Sequence, residues 1–298
     1  MRRKIVSHGP SSMTVSLPST WVKNNNLQKG EEVEILEEDN HLSIRPVCIT
    51  NDHKTIEVSF IDLDKDTQKD LILTLHKKGY DEIKIKFNNQ ELIKELHEFL
   101  NLMQLGFEII KQETNSITIR NISNPAAEQL DNLFRRVFRI TIEYSAKIEA
   151  VINNKEEITQ SVLLHETSIS RIANYCKRII IKEKRQNACF LYAIIEELTT
   201  ITSNLTILLS EIQEINTLPK TFVTKYAEMN NLLIQVYNLY YKFTLKEYSF
   251  IKKVSENLIK QVLKMQTQDI TGFGGWDILE SIHGEIQNLF ESTLAVQF

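Results

Sequence analysis

The chain lacks any run of about eighteen apolar residues, which is the length that a membrane-spanning helix requires. Its first residues, Met1-Arg2-Arg3-Lys4, are followed by Ser7-His8-Gly9-Pro10 and not by the apolar core of a signal peptide. These two absences argue against membrane insertion and against export. They predict a cytoplasmic location.

Cysteine is also scarce in the sequence. Cys48, Cys176 and Cys189 are the three in the chain, they lie far apart, and none belongs to a C-x-x-C pair. A disulfide framework needs an even set of cysteines, and a structural zinc site needs closely spaced ligands. The sequence therefore predicts neither, and it suits a reducing compartment.

The charge balance is slightly acidic, with 35 Lys and Arg against 39 Asp and Glu and a net charge of −4. Such an average does not favour a nucleic-acid-binding protein. Residues 1–30 differ from this average because they contain five basic residues and no acidic one: Arg2, Arg3, Lys4, Lys23 and Lys29. A chain of 298 residues is also long enough for two or three domains.

The N-terminal region is predicted to hold short strands around one brief helix. The strands are expected at residues 4–6, 13–17, 32–36 and 42–44, and the helix at 19–25 with Ser19 as its N-cap. Fewer than about 60 residues bury too little apolar surface to be stable alone. A homodimer is the simplest way to complete such a core.

The next region, residues 54–120, is predicted to form a βαβαββ layer. Strands are expected at residues 54–60, 82–87, 107–111 and 116–120, with helices at 66–78 and 90–104. After Ile122, Asn124-Pro125 is a helix start signal. Six apolar stripes then step by alternating threes and fours, which predicts six helices in antiparallel bundles.

The fold class expected from these patterns is multidomain α+β. The predicted domains are residues 1–48, a βαβαββ middle domain at 49–122, and an all-α region at 123–298. That last region divides into repeats of three helices at about 123–216 and 217–298.

Enzyme signatures mostly fail in this chain. Asp62-Leu63-Asp64-Lys65-Asp66 resembles the start of a calcium loop, but Thr67 and Leu73 stand where that loop needs Gly and Glu. We interpret it as a turn into a helix, with Asp66 near the N-cap. His165 lies in an apolar seam and is interpreted as a core residue. The sequence predicts a protein without catalytic activity.

The basic N-terminus has two interpretations on its chemistry alone. It is either a solvated chain end or a surface for the DNA backbone, with the hydroxyls of Ser11, Ser12 and Thr14 as further donors.

A family resemblance bears on this choice. The segments GPSSMTVSLPSTWV (residues 9–22) and LQKGEEV (27–33) contain S-x-x-V-x-L-P-x-x-W and L-x-x-G-x-x-V in order. They resemble the AbrB/SpoVT swapped-hairpin family. The resemblance implies a homodimer in which each chain supplies half of a β-barrel, with a basic face on double-stranded DNA. The residues expected to contact DNA are Arg2, Arg3, Lys4, His8, Ser11, Ser12, Thr14 and Lys23.

The remainder resembles the archaeal PhoU-like phosphate uptake regulators that carry this N-terminal domain. That family places L-E-R-I-x-D-x-x-x-N-I in the last helix of each repeat. Here the two copies read IEELTTITSNL (residues 195–205) and LESIHGEIQNL (279–289), offset by 84 residues. The match implies an internal duplication and tandem three-helix bundles.

The same resemblance bears on metal binding. In metal-binding members, the Glu and Asp of this pattern lie one helical turn apart and share a divalent or iron-type cation. Thr200 and Gly284 stand at the two Asp positions, so neither supplies a carboxylate. The remaining ligand candidates are Glu196, Glu280, His283 and Glu285. The alternative is that these side chains form a solvated helix edge.

Three functions follow from these interpretations. The first is a DNA-binding transcriptional regulator of the PhoU-like phosphate-response type, whose bundle senses or binds a partner. The second is an adaptor that regulates a phosphate transporter or kinase, with the N-terminal domain used only for dimerisation. A metal-dependent enzyme ranks third, because the paired carboxylates are broken.

Overall fold

A computed structural model of the chain describes residues 3–9, 12–25, 27–38, 41–46, 53–103, 106–123, 130–153, 160–183, 185, 187–215, 217–269 and 272–298. The chain divides into two compact units, Met1–His53 and Lys54–Phe298. The fold is mixed α+β and mostly helical, with small sheets and a helical C-terminal region. This confirms the coarse fold class that the sequence predicts.

The first unit consists of two antiparallel strand pairs and one short helix. β1 (Val6–Ser7) pairs with β2 (Met13–Thr14), and β3 (Val33–Glu38) pairs with β4 (His41–Pro46). The helix α1 (Ser19–Asn24) lies between the two pairs in sequence.

The start of α1 differs from the prediction. Pro18, with φ −62° and ψ 130°, is the N-cap, and Ser19 is the first helical residue. The carbonyl of Pro18 accepts the first hydrogen bond, from Val22 N at 3.0 Å. Proline has no side-chain oxygen for the free N–H groups, so α1 begins without a side-chain cap.

Apolar side chains in the first unit remain exposed. Among the described side chains of residues 3–53, none is buried. Six large apolar ones have relative exposures from 48% to 72%, namely Ile5, Val6, Met13, Val15, Ile35 and Leu42, while others such as Leu17, Trp21 and Val33 are half-buried. A single copy of this unit therefore has no hydrophobic core in its described part.

The second unit begins with an α/β layer. Its elements are β5 (Thr55–Ser59), α2 (Lys65–Lys77), β6 (Glu82–Lys86), α3 (Glu91–Met103), β7 (Phe107–Gln112) and β8 (Ser116–Asn121). The strand order is β5-β6-β8-β7, in which β5 and β6 are parallel and β8 is antiparallel to both neighbours. The parallel pair requires a crossover, which α2 provides.

The turn before α2 is ordered by an aspartate. Asp64 is the N-cap, and its Oδ1 accepts hydrogen bonds from Asp66 N at 3.1 Å and Thr67 N at 3.0 Å. Asp66, expected near the N-cap, lies two residues after it, in the first turn. An acidic residue there is favourable because the helix N-terminus carries partial positive charge.

Alternating residues divide the sheet into an apolar and a polar face. Ile83, Ile85, Ile117 and Ile119 belong to one cluster with buried residues of α2 and α3, namely Ile72, Leu75, Leu92, Leu96 and Leu100. Glu57 of β5 forms ion pairs with Lys84 and Lys86 of β6, at positions that alternate with the apolar ones. The period of two places these charged side chains away from the helices.

Six helices follow in the described part of the chain. They are α4 (Leu130–Ile152), α5 (Gln160–Glu183), α6 (Ala188–Gln213), α7 (Lys220–Tyr241), α8 (Leu245–Gln268) and α9 (Gly275–Val296). Each covers one of the six apolar stripes. The predicted start at Asn124-Pro125 lies outside the described residues.

The helices share one continuous core. α4, α5 and α6 contact one another, α7, α8 and α9 do the same, and α6 and α9 form the most extensive helix–helix contact. A single hydrophobic cluster runs through all six. Across the described residues, no helix combines the length and the apolar character that crossing a membrane demands.

Arg178 of α5 connects the helices to the α/β layer. Its guanidinium donates hydrogen bonds to the carbonyls of His76 at 3.0 Å and Tyr80 at 2.8 Å, and it forms an ion pair with Asp81. Lys182, one turn further on, donates to the same carboxylate at 2.6 Å. The end of α2 is therefore anchored on α5.

Candidate functional site

The residues expected to contact DNA are exposed where the structure describes them. Arg3, Lys4, His8, Ser12 and Lys23 all have exposed side chains. Two further members of the set, Arg2 and Ser11, lie outside the described residues.

The first strand pair positions three members of this set. Val6 pairs with Thr14, and the Thr14 hydroxyl donates to Val6 O at 3.2 Å. His8 N donates to Ser12 O at 2.8 Å, which closes the hairpin. His8, Ser12 and Thr14 are thus brought onto one small hairpin. Because the Thr14 hydroxyl donates its proton within that hairpin, it cannot also donate a hydrogen bond to phosphate, and its oxygen can only accept one.

The electrostatics of the unit are divided. Arg3, Lys4 and Lys23 have no ion-pair partner among the described residues. Over the whole of residues 1–53, however, six Lys and Arg stand against seven Asp and Glu. A basic segment therefore lies within a unit that is close to neutral.

The first metal-ligand candidate is already paired. Glu196 Oε1 lies 2.9 Å from Lys177 Nζ, and the Lys177 side chain is only 5% exposed. Burial lowers the pKa of Lys177, while the hydrogen bond to Glu196 raises it. Glu196 therefore compensates a buried cation, a role that its sequence position does not reveal.

The candidates on α9 point in different directions. His283 is buried, and its Nε2 lies 2.8 Å from Ser255 Oγ and 3.1 Å from Ser255 O on α8. Burial lowers the pKa of His283. Glu280 is exposed and Glu285 is half-buried. The described residues contain no group of three or more His, Cys, Asp and Glu arranged to hold a metal.

The two positions where the family pattern has Asp differ in their surroundings. The Thr200 hydroxyl donates to Glu196 O at 3.1 Å, within its own helix. Gly284 is exposed, and a Cβ added there would meet no heavy atom within 4 Å. Packing therefore leaves room for a larger side chain at Gly284.

The two copies of the family pattern do meet in space. Asn204 of the first copy donates from Nδ2 to Ser281 Oγ of the second at 3.0 Å. The Ser292 hydroxyl donates to Glu197 Oε1 at 3.3 Å across the same seam. Both contacts belong to the interface between α6 and α9.

Glu197 is a residue that the sequence patterns did not single out. Burial, together with the charges of Glu285 and Glu291, raises its pKa to about 7, although the Ser292 hydrogen bond acts in the opposite direction. Its Oε2 is buried without a hydrogen-bond partner in the described part of the chain. The adjacent pair Glu196-Glu197 was the available signal, since neighbouring helical residues point in different directions.

The sequence patterns also did not single out the solvent-facing side of α4. Arg135, Arg136 and Arg139 lie there within five residues, all exposed. Clustered arginines opposite an apolar stripe were the signal that could have revealed them.

The chain has no match to set beside these sites: no protein-family model, no curated protein and no solved structure matches it.

Proposed function

We propose that the protein is a DNA-binding transcriptional regulator of the PhoU-like phosphate-response type. In this proposal two copies join through residues 1–53, and the basic residues before β1, the first hairpin and α1 contact the DNA backbone. The helical bundle receives the signal. The observation that carries the proposal is the unit Met1–His53, which has unpaired basic side chains and no buried side chain among those described.

The exposed apolar side chains support the dimer. Burying six large apolar side chains contributes on the order of 10 kcal/mol before the cost of association. Val6 and Met13 lie on the first hairpin, and Ile35 and Leu42 on the second strand pair. A second copy would cover both pairs and supply the core that one copy lacks.

The chemistry of the first hairpin, the residues before it and α1 supports DNA as the partner. Arg3, Lys4 and Lys23 are exposed cations, and Ser12 adds an exposed hydroxyl. Phosphate contacts use these groups and the backbone N–H. They carry no base recognition, so the expected binding is dominated by the backbone and is sensitive to salt.

Salt-dependent binding to duplex DNA tests this proposal. The full chain is titrated with a labelled duplex at several salt concentrations, and a variant combining Arg2→Gln, Arg3→Gln and Lys4→Gln is compared with it. We expect affinity to fall steeply with salt, and the variant to show a shallower salt slope by about three phosphate contacts.

The matched control removes three exposed lysines of α8 by Lys252→Gln, Lys253→Gln and Lys260→Gln. It changes the net charge equally but leaves the hairpin intact. Absence of duplex binding at the lowest salt, or an equal loss in the control, would contradict the DNA part of the proposal. Mapping of occupied DNA in cells at high and low phosphate then tests the phosphate response.

The near-neutral charge of residues 1–53 favours a second candidate, the adaptor. In that case the N-terminal unit only dimerises, and the helices regulate a phosphate transporter or kinase. The N-terminal triple variant separates the two functions: an adaptor keeps its regulatory effect on phosphate uptake with these charges removed, whereas a DNA-binding regulator loses it.

A further inference from the structure

One face of α4 presents a stripe of polar side chains to solvent. The residues are spaced by three, four and seven positions, so they share one side of the helix. They are Asn132, Arg135, Arg136, Arg139 and Glu143, all of them exposed. With Ile140 they line a surface groove of about 480 Å³.

The three guanidinium groups are only partly neutralised. Arg139 lies 3.8 Å from Glu143, at the outer limit of an ion pair, with both side chains more than half exposed. Neither Arg135 nor Arg136 forms an ion pair within the described residues. The groove therefore carries three positive charges against one carboxylate, in a chain whose net charge is −4.

One of the arginines is held in place by an aromatic ring. The Arg135 guanidinium carbon lies 4.3 Å from the centre of the Tyr241 ring on α7. The Tyr241 ring also meets the rings of Phe138, Tyr237 and Tyr240 edge-on. The ring quadrupole attracts a cation placed over its face, which favours this position of the Arg135 guanidinium. The groove is thus partly organised before any ligand binds.

We infer that this groove binds an oligophosphate, meaning a compound with two or more linked phosphoryl groups. A guanidinium fork matches the oxygens of phosphate, and each phosphoryl group has more than one negatively charged oxygen that accepts hydrogen bonds. A single exposed ion pair contributes little. A ligand must therefore engage several arginines at once to bind measurably, and a chain of phosphoryl groups along the stripe does so. Asn132 supplies a further amide donor at one end.

Calorimetric titration of the full chain with sodium tripolyphosphate, in magnesium-free buffer of low ionic strength, tests the inference. Inorganic phosphate and sulfate serve as shorter anions. We expect saturable binding of one tripolyphosphate per chain, weaker binding of the single anions, and a loss of about tenfold in affinity for Arg136→Gln combined with Arg139→Gln. Arg136→Lys keeps the charge without the fork and should lose part of the affinity.

Lys252→Gln combined with Lys253→Gln is the matched control, because it removes two exposed charges from α8. We expect it to change affinity by less than about twofold. Both pairs of side chains are exposed, so thermal unfolding should be unchanged in each variant. Vesicles with and without a polyphosphorylated inositol lipid identify the source. If the protein binds only the vesicles with this lipid, and tripolyphosphate displaces it from them, the phosphate ligand is a lipid headgroup.

Three results would overturn the inference. The first is no heat of binding at millimolar tripolyphosphate. The second is an equal loss of affinity in the arginine variant and the lysine control, which indicates diffuse charge. The third is a loss of duplex DNA binding in the arginine variant with tripolyphosphate binding unchanged, which assigns the stripe to nucleic acid.

Discussion

Glu197 illustrates how the position of one side chain sets its chemistry. It lies in the seam between α6 and α9, where Ser292 is its hydrogen-bond donor and Glu285 and Glu291 are near. Its neighbour Glu196 points to Lys177 instead. Two identical residues in succession thus meet a carboxylate-rich seam and a buried cation, because successive helical positions differ in direction by about 100°.

The raised pKa of Glu197 makes stability depend on pH. The folded protein holds this proton up to about pH 7, whereas the unfolded chain releases it near pH 4.5. The contribution of Glu197 to stability is therefore greatest at acidic pH and falls as pH rises between these two values. Allowing for partial exposure, Glu197→Gln should stabilise the protein by about 1 kcal/mol at pH 8 and by nearly nothing at pH 4.

Urea unfolding at pH 4, 6 and 8, at one protein concentration, measures this difference. Glu280→Gln is the control, since Glu280 is exposed on the same pair of helices. A stability gain for Glu197→Gln that is the same at all three pH values would show that its charge is not responsible.

At the scale of elements, the contact between α2 and α5 joins the α/β layer to the bundle. Gly79, with φ +81°, ends α2, and a Cβ there would lie 2.7 Å from Lys182 Cγ. Asp81 follows two residues later and forms ion pairs with Arg178 and Lys182. Burial acts to raise the pKa of Asp81, but the hydrogen bond from Lys182 and the two cationic charges outweigh it and lower that pKa.

Asp81→Asn should therefore destabilise the protein by about 3 kcal/mol at neutral pH, because it leaves the buried Arg178 without its counter-ion. The deficit should shrink as acid protonates Asp81 in the parent, below the usual carboxyl pKa. Adding Arg178→Met should recover part of the loss.

Urea unfolding of the two single variants and the double variant measures this coupling. Glu82→Gln, which breaks the more exposed pair with Arg120, should cost less than about 1 kcal/mol. Equal losses for Asp81→Asn and Glu82→Gln would mean that the link to α5 contributes no more than a surface pair.

At the scale of the whole molecule, the two units differ in how they are stabilised. Lys54–Phe298 has a continuous core through its six helices and a second one in its α/β layer. Met1–His53 has no buried side chain among those described. A unit of this size with so many exposed apolar side chains buries little apolar surface by itself, which is the basis of the proposed dimer.

Met13→Asp combined with Ile35→Asp should weaken self-association of the full chain by at least about tenfold, because each charge would have to be buried in the dimer. Sedimentation over a hundredfold range of concentration measures it. Ile207→Asp is the control, an exposed apolar position on α6 in the other unit. A parent chain that stays monomeric throughout that range would contradict a dimer through residues 1–53.

Prediction from sequence succeeded best where a pattern repeats along one element. The strands and helices of residues 54–120 and the strand pairs of residues 3–46 lie within a few residues of their predicted bounds, and a helix is present at each of the six predicted apolar stripes. Helix ends were less accurate, as Ser19 shows, because a cap depends on the local backbone path. The residues expected to contact DNA could be named from the sequence, and their role in binding DNA remains a prediction.

The sequence by itself determined where each helix and strand lies. Apolar spacing of 3.6 or 2 residues is a local property, and it does not depend on which other element packs against the apolar face. Only the tertiary structure decided which polar groups meet. Asp81 and Arg178 are 97 residues apart, and Ser255 and His283 are 28 apart. Such pairs depend on how whole elements pack, since the free energy of burying a charge or an imidazole is offset only by the partner that packing brings to it.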